Sequence, residues 1–454
     1  MDVKTFLQEV KNNKISIEKN TKDILDEAER LNKKQNFFNT ICKDFALKQA
    51  GFIEKNRKGK VAGLPITVKD CICVKGVESR AGSRILKGYK PTFNATVVQR
   101  LVDEGAIIIG KTSQDEFGFG SFSTNTDNIP KNPYDEARSC GGSSGGAGGF
   151  SAVTQYTHVA LAESTGGSIV NPASFCGVVG FCPTYGVISR YGLIDYANSL
   201  DKIGLIGKTI EDVKIVFDVI KGHDKKDATS LDKGLNKDNG TKKIGVIKES
   251  LNVDAKIKDL ILKKLNESKI PYDYISLPLT ERYGVACYYL IAMSEASTNL
   301  AKFCGLRYGF EKEISGDFNE YFSSVRGEGF GKEAKRRIIL GTFARMAGFR
   351  DAYYLKAMKV RTRIINEYKT LFKKYDLLVS PTMPIIAPRF DEIERLTPAE
   401  NYMMDVLTVG PNLAGLPHIS INTGFVEKMP VGIMFIADHL NEEKLFRIGA
   451  MVEK

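Results

Sequence analysis

Gly63-Leu-Pro-Ile-Thr-Val-Lys69-Asp70 opens the stretch that decides the fold class. Leu64, Ile66 and Val68 alternate with other residues, which predicts a strand. Residues 95–104 read as a helix, and Ala106-Ile-Ile-Ile109 reads as a buried strand. Strand, helix and strand in that order form a βαβ unit and predict an α/β fold. The same pattern continues outward. Residues 1–32 read as helical, with Ile24, Leu25, Ala28 and Leu31 on one face, and 37–42 as a short strand. Downstream, 243–247 and 272–277 read as strands around a helix at 254–267. A long helix follows at 352–374, then a strand at 376–379. Residues 222–241 are polar and read as an exposed connection.

Composition sets wide limits. The chain has 454 residues, 43% hydrophobic and 26% charged, which excludes disorder as the main state. A chain of this length can bury a large core without disulfides or metal. The net charge of +11 comes with no run of five like charges. It reads as a lysine-rich solvated surface. No aromatic-basic stacking pattern accompanies it, which argues against a nucleic-acid module. The eight cysteines form no CxxC pair. Cys71 and Cys73 share one face of an extended segment, too few for a metal site. With no signal peptide and no run of 18 apolar residues, reduced thiols in a cytoplasm are expected.

Chemistry is to be sought between Ser139 and Ser189. This stretch contains one charged residue, Glu163, where the chain average predicts about thirteen. A long uncharged segment rich in glycine and serine is buried or lines something. Gly141-Gly-Ser-Ser-Gly-Gly-Ala-Gly-Gly149 reads as a tightly packed turn rather than a linker, and Glu163-Ser-Thr-Gly-Gly-Ser168 as a second cluster. Backbone N–H groups before a serine can form an oxyanion hole. Gly105-Ala-Ile-Ile-Ile-Gly-Lys-Thr112 matches the phosphate-loop pattern, but its intervening residues are strand material, not a flexible cradle. For a base, the four histidines (His158, His223, His418 and His439) read as structural. Lys69, at the end of an apolar strand, is the other candidate, because a desolvated lysine can be neutral and accept a serine proton. A strand-end lysine paired with Asp70 explains the same pattern.

Together these segments resemble the amidase signature family. The resemblance rests on Gly63–Asp70, Gly141-Gly-Ser-Ser-Gly-Gly146 and Thr165-Gly-Gly-Ser168-Ile. It extends through Gly110–Phe117, Pro183–Gly192, Ser199–Gly204, Glu295–Leu300, Lys335–Thr342 and Asn412–Pro417 to the family branch that serves tRNA-dependent amidotransferases. It implies one large α/β domain over 1–454, a mixed sheet flanked by helices. A helical segment 1–60 would pack on it, and 139–189 would form its catalytic core. It implies a triad of Ser168 as nucleophile, Ser144 as relay and Lys69 as base, with the peptide Ser143–Ser144 cis. Thr165, Gly166 and Gly167 would hold the oxyanion. The implied reaction is glutamine hydrolysis that supplies ammonia for a carbon-nitrogen ligase acting on misacylated Glu-tRNA(Gln) or Asp-tRNA(Asn).

Glutamine is a zwitterion, and the family pattern gives its α-carboxylate to Arg337 and its α-ammonium to Asp405, with Tyr288, or the adjoining Tyr289, adding a hydrogen bond. By pattern alone, Lys335-Arg-Arg337 reads as a solvated helix face. No metal or cofactor is implied in this chain. ATP and Mg²⁺ would be used by the family's B subunit, which would also carry most of the tRNA contact. The C subunit would complete a cytoplasmic heterotrimer. One departure stands out. The family reads Asp-Thr-Gly-Gly-Ser-Ile-Arg-Gln-Pro, whereas here Ser164 and Val170 replace the acid and the base. The two read as a charge pair lost together. The alternatives are a stand-alone amide hydrolase and a non-catalytic scaffold within the same complex.

Overall fold

The computed structural model describes residues 1–453. Eleven strands form one mixed sheet: β1 (Phe38–Ile41), β2 (Pro65–Lys69), β3 (Ile107–Thr112), β4 (Val159–Ser164), β5 (Val179–Cys182), β6 (Lys202–Gly207), β7 (Ile244–Ile247), β8 (Tyr272–Ile275), β9 (Leu377–Pro381), β10 (His418–Val426) and β11 (Met429–Ala437). Their order across the sheet is β1-β3-β2-β4-β6-β5-β10-β11-β9-β7-β8. The predicted βαβ unit is present, with β2 and β3 paired in parallel. β2 also pairs in parallel with β4, Val68 facing Leu161. These central strands are buried along their whole length, which is why β3 reads as an apolar run, while β2 alternates yet buries its polar Thr67 and Lys69 as well.

The first eleven helices along the chain are α1 (Val3–Lys11), α2 (Ile17–Gln35), α3 (Lys43–Asn56), α4 (Thr96–Asp103), α5 (Gly145–Val153), α6 (Val170–Cys176), α7 (Ile210–Ile220), α8 (Ala255–Ser268), α9 (Pro278–Asn299), α10 (Phe318–Gly329) and α11 (Lys332–Arg345), of which α5, α6, α9 and α11 border the site. A further long helix, α12, spans Lys356–Phe372. The N-terminal region is two helices, not one. Asn13 takes a left-handed conformation, and the Ser16 hydroxyl accepts from Lys19 N at 3.3 Å to start α2 afresh. Residues 223–242 hold no helix or strand. The main hydrophobic core draws on residues from Val3 to Val452, and a second, smaller cluster gathers Phe122, Phe175, Met383, Ala387, Ile393 and Met429. No helix among the described residues is long and apolar enough to cross a membrane.

The glycine cluster is a helix start rather than only a turn. In α5 the glycines let other backbone and rings approach closely. A Cβ at Gly149 would run into the Phe37 ring, and one at Gly148 would lie 3.0 Å from Pro172. Gly105-Ala-Ile-Ile-Ile-Gly-Lys-Thr112 runs into β3. Lys111 Nζ is spent inside the core on Ile72 O at 2.6 Å and Ser79 Oγ at 2.8 Å, so the segment is no phosphate cradle.

Candidate active site

The site sits where adjacent parallel strands β2 and β4 end side by side. Lys69 closes β2 and is wholly buried. A buried cation must be hydrogen-bonded. Its Nζ donates to Ser143 Oγ at 2.7 Å, to Glu163 O at 2.9 Å and to Glu163 Oε2 at 2.8 Å. Those are the three acceptors that an ammonium group can use. The alternative pairing with Asp70 is remote: Lys69 donates to none of its oxygens, and Asp70 Oδ2 accepts instead from Asn39 at 2.9 Å.

The assignment of the relay to Ser144 is corrected here. Ser143, not Ser144, meets the lysine, and the cis peptide is Gly142–Ser143. Ser144 precedes α5 and turns its hydroxyl to donate to Glu163 O at 3.1 Å. Two consecutive serines in a tight turn point different ways, and the sequence carries no sign of which one faces Lys69.

Ser168 lies on the loop between β4 and α6 and is 8% exposed. Its hydroxyl makes no hydrogen bond among the described residues. The loop is held from both sides. Ser164 Oγ accepts from Gly167 N at 3.0 Å, and Thr408 Oγ1 donates to Gly166 O at 2.7 Å. Gly167 N–H is therefore engaged within the protein, which removes it from the predicted oxyanion donors in this conformation. The N–H groups of Thr165 and Gly166 have no partner among the described residues. A Cβ at Gly166 would meet the Tyr288 hydroxyl at 2.6 Å, so glycine is required for the ring to lie against the loop.

Beyond Tyr288 the pocket wall is aromatic and charged. Arg337 is 2% exposed, which overturns its reading as a solvated helix face. Its guanidinium lies over the rings of Phe119, Tyr196, Tyr289 and Tyr402, with centroid distances from 5.0 to 5.5 Å. Nε donates to Glu333 Oε1 at 2.8 Å and one Nη to the Tyr196 hydroxyl at 2.5 Å, which leaves further N–H donors. Asp405 is on the other side of Tyr289, whose hydroxyl donates to Asp405 Oδ2 at 2.6 Å, while Ser121 donates to Oδ1 at 2.7 Å. Burial pushes the Asp405 carboxyl above its usual range, against the pull of those two donors. Tyr288 packs edge-on against Tyr289 at 4.9 Å. Both tyrosines are therefore part of the site: Tyr288 floors the serine loop and Tyr289 joins Arg337 to Asp405.

Sequence reasoning missed Glu333 and Tyr196, which have no signature of their own, did not decide between Tyr288 and Tyr289, and gave no role to Glu163. That residue was visible as the one charge in the uncharged block. The acid absent at position 164 has a neighbour one residue earlier, aimed at the base. Val170 is fully buried at the start of α6. The histidines are bonded elsewhere. His158 Nε2 and Thr67 Oγ1 are 2.7 Å apart, and burial holds the His158 pKa down to about 3, so the ring is neutral. His418 Nδ1 faces Leu416 O at 3.0 Å.

Comparison with known proteins agrees with this geometry. The model of the Amidase family matches residues 19–446. The A subunit of glutamyl-tRNA(Gln) amidotransferase from Archaeoglobus fulgidus is 44% identical over 435 residues, 93% of each chain. That of Sulfolobus acidocaldarius is 42% identical over 100% of this chain and 98% of its own. Among solved structures, the corresponding A subunit from Thermotoga maritima superposes with a TM-score of 0.78 at 33% identity, covering 97% of this chain and 94% of its own.

Proposed function

This chain belongs to the Amidase family, and from that premise we propose that it is the glutaminase subunit of a tRNA-dependent amidotransferase. The observation that carries the reading is the placement of a buried cation, Arg337, and a buried anion, Asp405, on either side of Tyr289 next to the Thr165–Ser168 loop. A neutral aryl or alkyl amide needs no such pair. An amino acid bearing both α-charges does.

In the proposed reaction Arg337 takes the α-carboxylate of glutamine and Asp405 the α-ammonium. Ser168 Oγ attacks the side-chain carbonyl carbon, and its proton passes through Ser143 to Lys69. The N–H groups of Thr165 and Gly166 face the developing oxyanion. Lys69 returns the proton to the leaving nitrogen, ammonia departs, and water hydrolyses the glutamyl ester on Ser168. The ammonia serves a partner that uses ATP and Mg²⁺ to amidate a misacylated tRNA, Glu-tRNA(Gln) or Asp-tRNA(Asn). The relatives named as A subunits support an assembly of several different chains. Its B and C subunits, in a cytoplasmic heterotrimer with this chain, are the expected set. No site for ATP, Mg²⁺ or another cofactor is proposed in this chain.

One observation favours a second reading, a non-catalytic member of the same assembly. Lys69 is ion-paired with Glu163, and an ammonium with three acceptors has no lone pair to take a proton. The two readings separate in one assay. Ammonia release from glutamine is measured for the chain co-expressed with its partners, wild type against Ser168→Ala. The glutaminase reading expects release that the variant loses. The scaffold reading expects none from either.

A further inference from the structure

The Thr165 hydroxyl stands between two buried carboxyls. Its Oγ1 is 2.8 Å from Glu163 Oε1 and 2.8 Å from Asp201 Oδ1. A hydroxyl has one proton to donate. Both contacts are satisfied only if it donates to one carboxyl and accepts from the other, so the pair holds one proton between them. The remaining oxygens are anchored. Glu163 Oε2 accepts from Lys69 at 2.8 Å, and Asp201 Oδ2 accepts from Tyr196 N and Ala197 N, each at 2.9 Å. Burial, and after it the charge of Glu163, pushes the Asp201 carboxyl well above its usual range. The other titratable or charged groups facing this set are Cys71, Asp115, Cys182, Tyr185, Arg190 and Tyr196. Burial holds the Cys71 and Cys182 thiols protonated and pushes Asp115 up to about 6. Arg190 is the cation on the Asp201 side.

We propose that Glu163, Thr165 and Asp201 form a one-proton relay that gives Lys69 a counter-ion only while Lys69 is charged. The proposal rests on the amidase reading of Lys69 and Ser143 and deepens it. With Lys69 charged, Glu163 is the carboxylate and its charge keeps the shared proton on Asp201. At rest, with Lys69 neutral and two backbone N–H groups on Asp201, the proton is on Glu163 Oε1 and is donated to Thr165, whose own proton is donated to the Asp201 carboxylate. Lys69 is then a neutral amine. Its two N–H groups go to Glu163 O and Oε2, and the contact with Ser143, a donation from Nζ when Lys69 is charged, reverses so that the lone pair accepts from the Ser143 hydroxyl. When Ser168 attacks, the Ser143 O–H bond breaks and a Lys69 N–H bond forms. The Glu163 O–H bond then breaks as a Thr165 O–H bond forms, and the former Thr165 proton bonds to Asp201 Oδ1. A carboxylate now faces the new ammonium. The hop reverses when Lys69 protonates the leaving nitrogen, and no proton is gained or lost. Glu163 touches no substrate and is a positioning residue.

The test uses the chain assembled with its partners. It reads the pH profile of kcat/KM for ammonia release. Glu163→Gln removes the counter-ion, so Lys69 loses its proton more readily. The acidic limb is expected to move down by at least one pH unit, with kcat at least tenfold lower. Thr165→Val strands the charge on Glu163, and the limb is expected to move up, while Thr165→Ser keeps it in place. A purely structural role would lower activity at every pH and leave the limb where it is, and that result would overturn the proposal. Should Glu163→Gln not fold, the Val and Ser variants at position 165 decide. Titration of Lys69 Nζ by ¹⁵N magnetic resonance separates the two levels of the argument. A silent wild type whose Lys69 still titrates lower in Glu163→Gln removes the glutaminase reading and keeps the relay. Active enzyme with equal Lys69 titration in both keeps the glutaminase and removes the relay.

Discussion

Lys69 Nζ and Ser143 Oγ are 2.7 Å apart, and the adjoining Ser144 has its hydroxyl on Glu163 O instead. This division of labour between neighbouring serines predicts unequal variants. Ser143→Ala is expected to lower kcat for glutamine hydrolysis by about 10²–10⁴, the usual scale of a general acid-base step. Ser144→Ala removes one hydroxyl-to-carbonyl hydrogen bond, worth about 1 kcal/mol of stability, and is expected to retain most activity. Steady-state kinetics and a urea unfolding curve on both variants check the pair.

The substrate clamp is best probed at Asp405, where an isosteric change leaves the wall intact. Asp405→Asn keeps the size of the side chain and one carbonyl acceptor, its N–H2 group meeting the other of the Tyr289 and Ser121 hydroxyls, which then turns to accept, but it loses the charge for the α-ammonium. A charge-assisted hydrogen bond is worth about 1.5–3 kcal/mol, so KM for glutamine is expected to rise about tenfold to a hundredfold, with kcat changed less. A simple amide without α-groups, assayed in parallel, is expected to show no such rise. Truncating Arg337 is a poorer probe, because it strands the buried Glu333.

Glu116 gives a pH signature of stability. Burial pushes its carboxyl up to about 7, against donation from the Ser83 hydroxyl and Gly331 N. Its folded pKa is above the unfolded value near 4.5, so the folded state binds the proton more tightly. The contribution is fully present below pH 4.5 and is lost as pH rises through about 7, a total of about 3 kcal/mol. Unfolding free energies from urea curves at pH 5 and pH 8 are expected to differ by about 2.5 kcal/mol less in Glu116→Gln than in the wild type. An unchanged difference would remove this account of Glu116.

Gly149→Ala tests the packing of α5. The added methyl would enter the Phe37 ring, and overpacking of this kind costs about 1–3 kcal/mol. A thermal midpoint lower by several degrees is expected, with recovery when Phe37→Leu opens the space.

Much of this was legible in the sequence. The β2–α4–β3 unit was readable because its strands are apolar and its helix amphipathic, and Lys69 and Ser168 were placed by motif. The rest depended on how the chain turns. Ser143 and Ser144 are chemically identical, so only the turn before α5 assigns the one that meets Lys69. Arg337 sits in a basic run that looks solvated, and it is buried because Phe119, Tyr196, Tyr289 and Tyr402 converge on it from distant segments. Glu163 stood alone in an uncharged block, but Lys69 at the end of β2, and Asp201 just before β6 with which it shares the Thr165 hydroxyl, are brought to it only by the sheet. The N-terminal helix break went unread because Asn13 and Ser16 are ordinary polar residues in a polar helix pattern.

The measurement that bears most directly on the central claim is mass spectrometry of the assembled complex, quenched during turnover of isotope-labelled glutamine. The account predicts a labelled glutamyl ester on the peptide that contains Ser168, absent from Ser168→Ala. Ammonia release with the label on another residue, or with no covalent species at any quench time in wild type and undiminished release from Ser168→Ala, would contradict it.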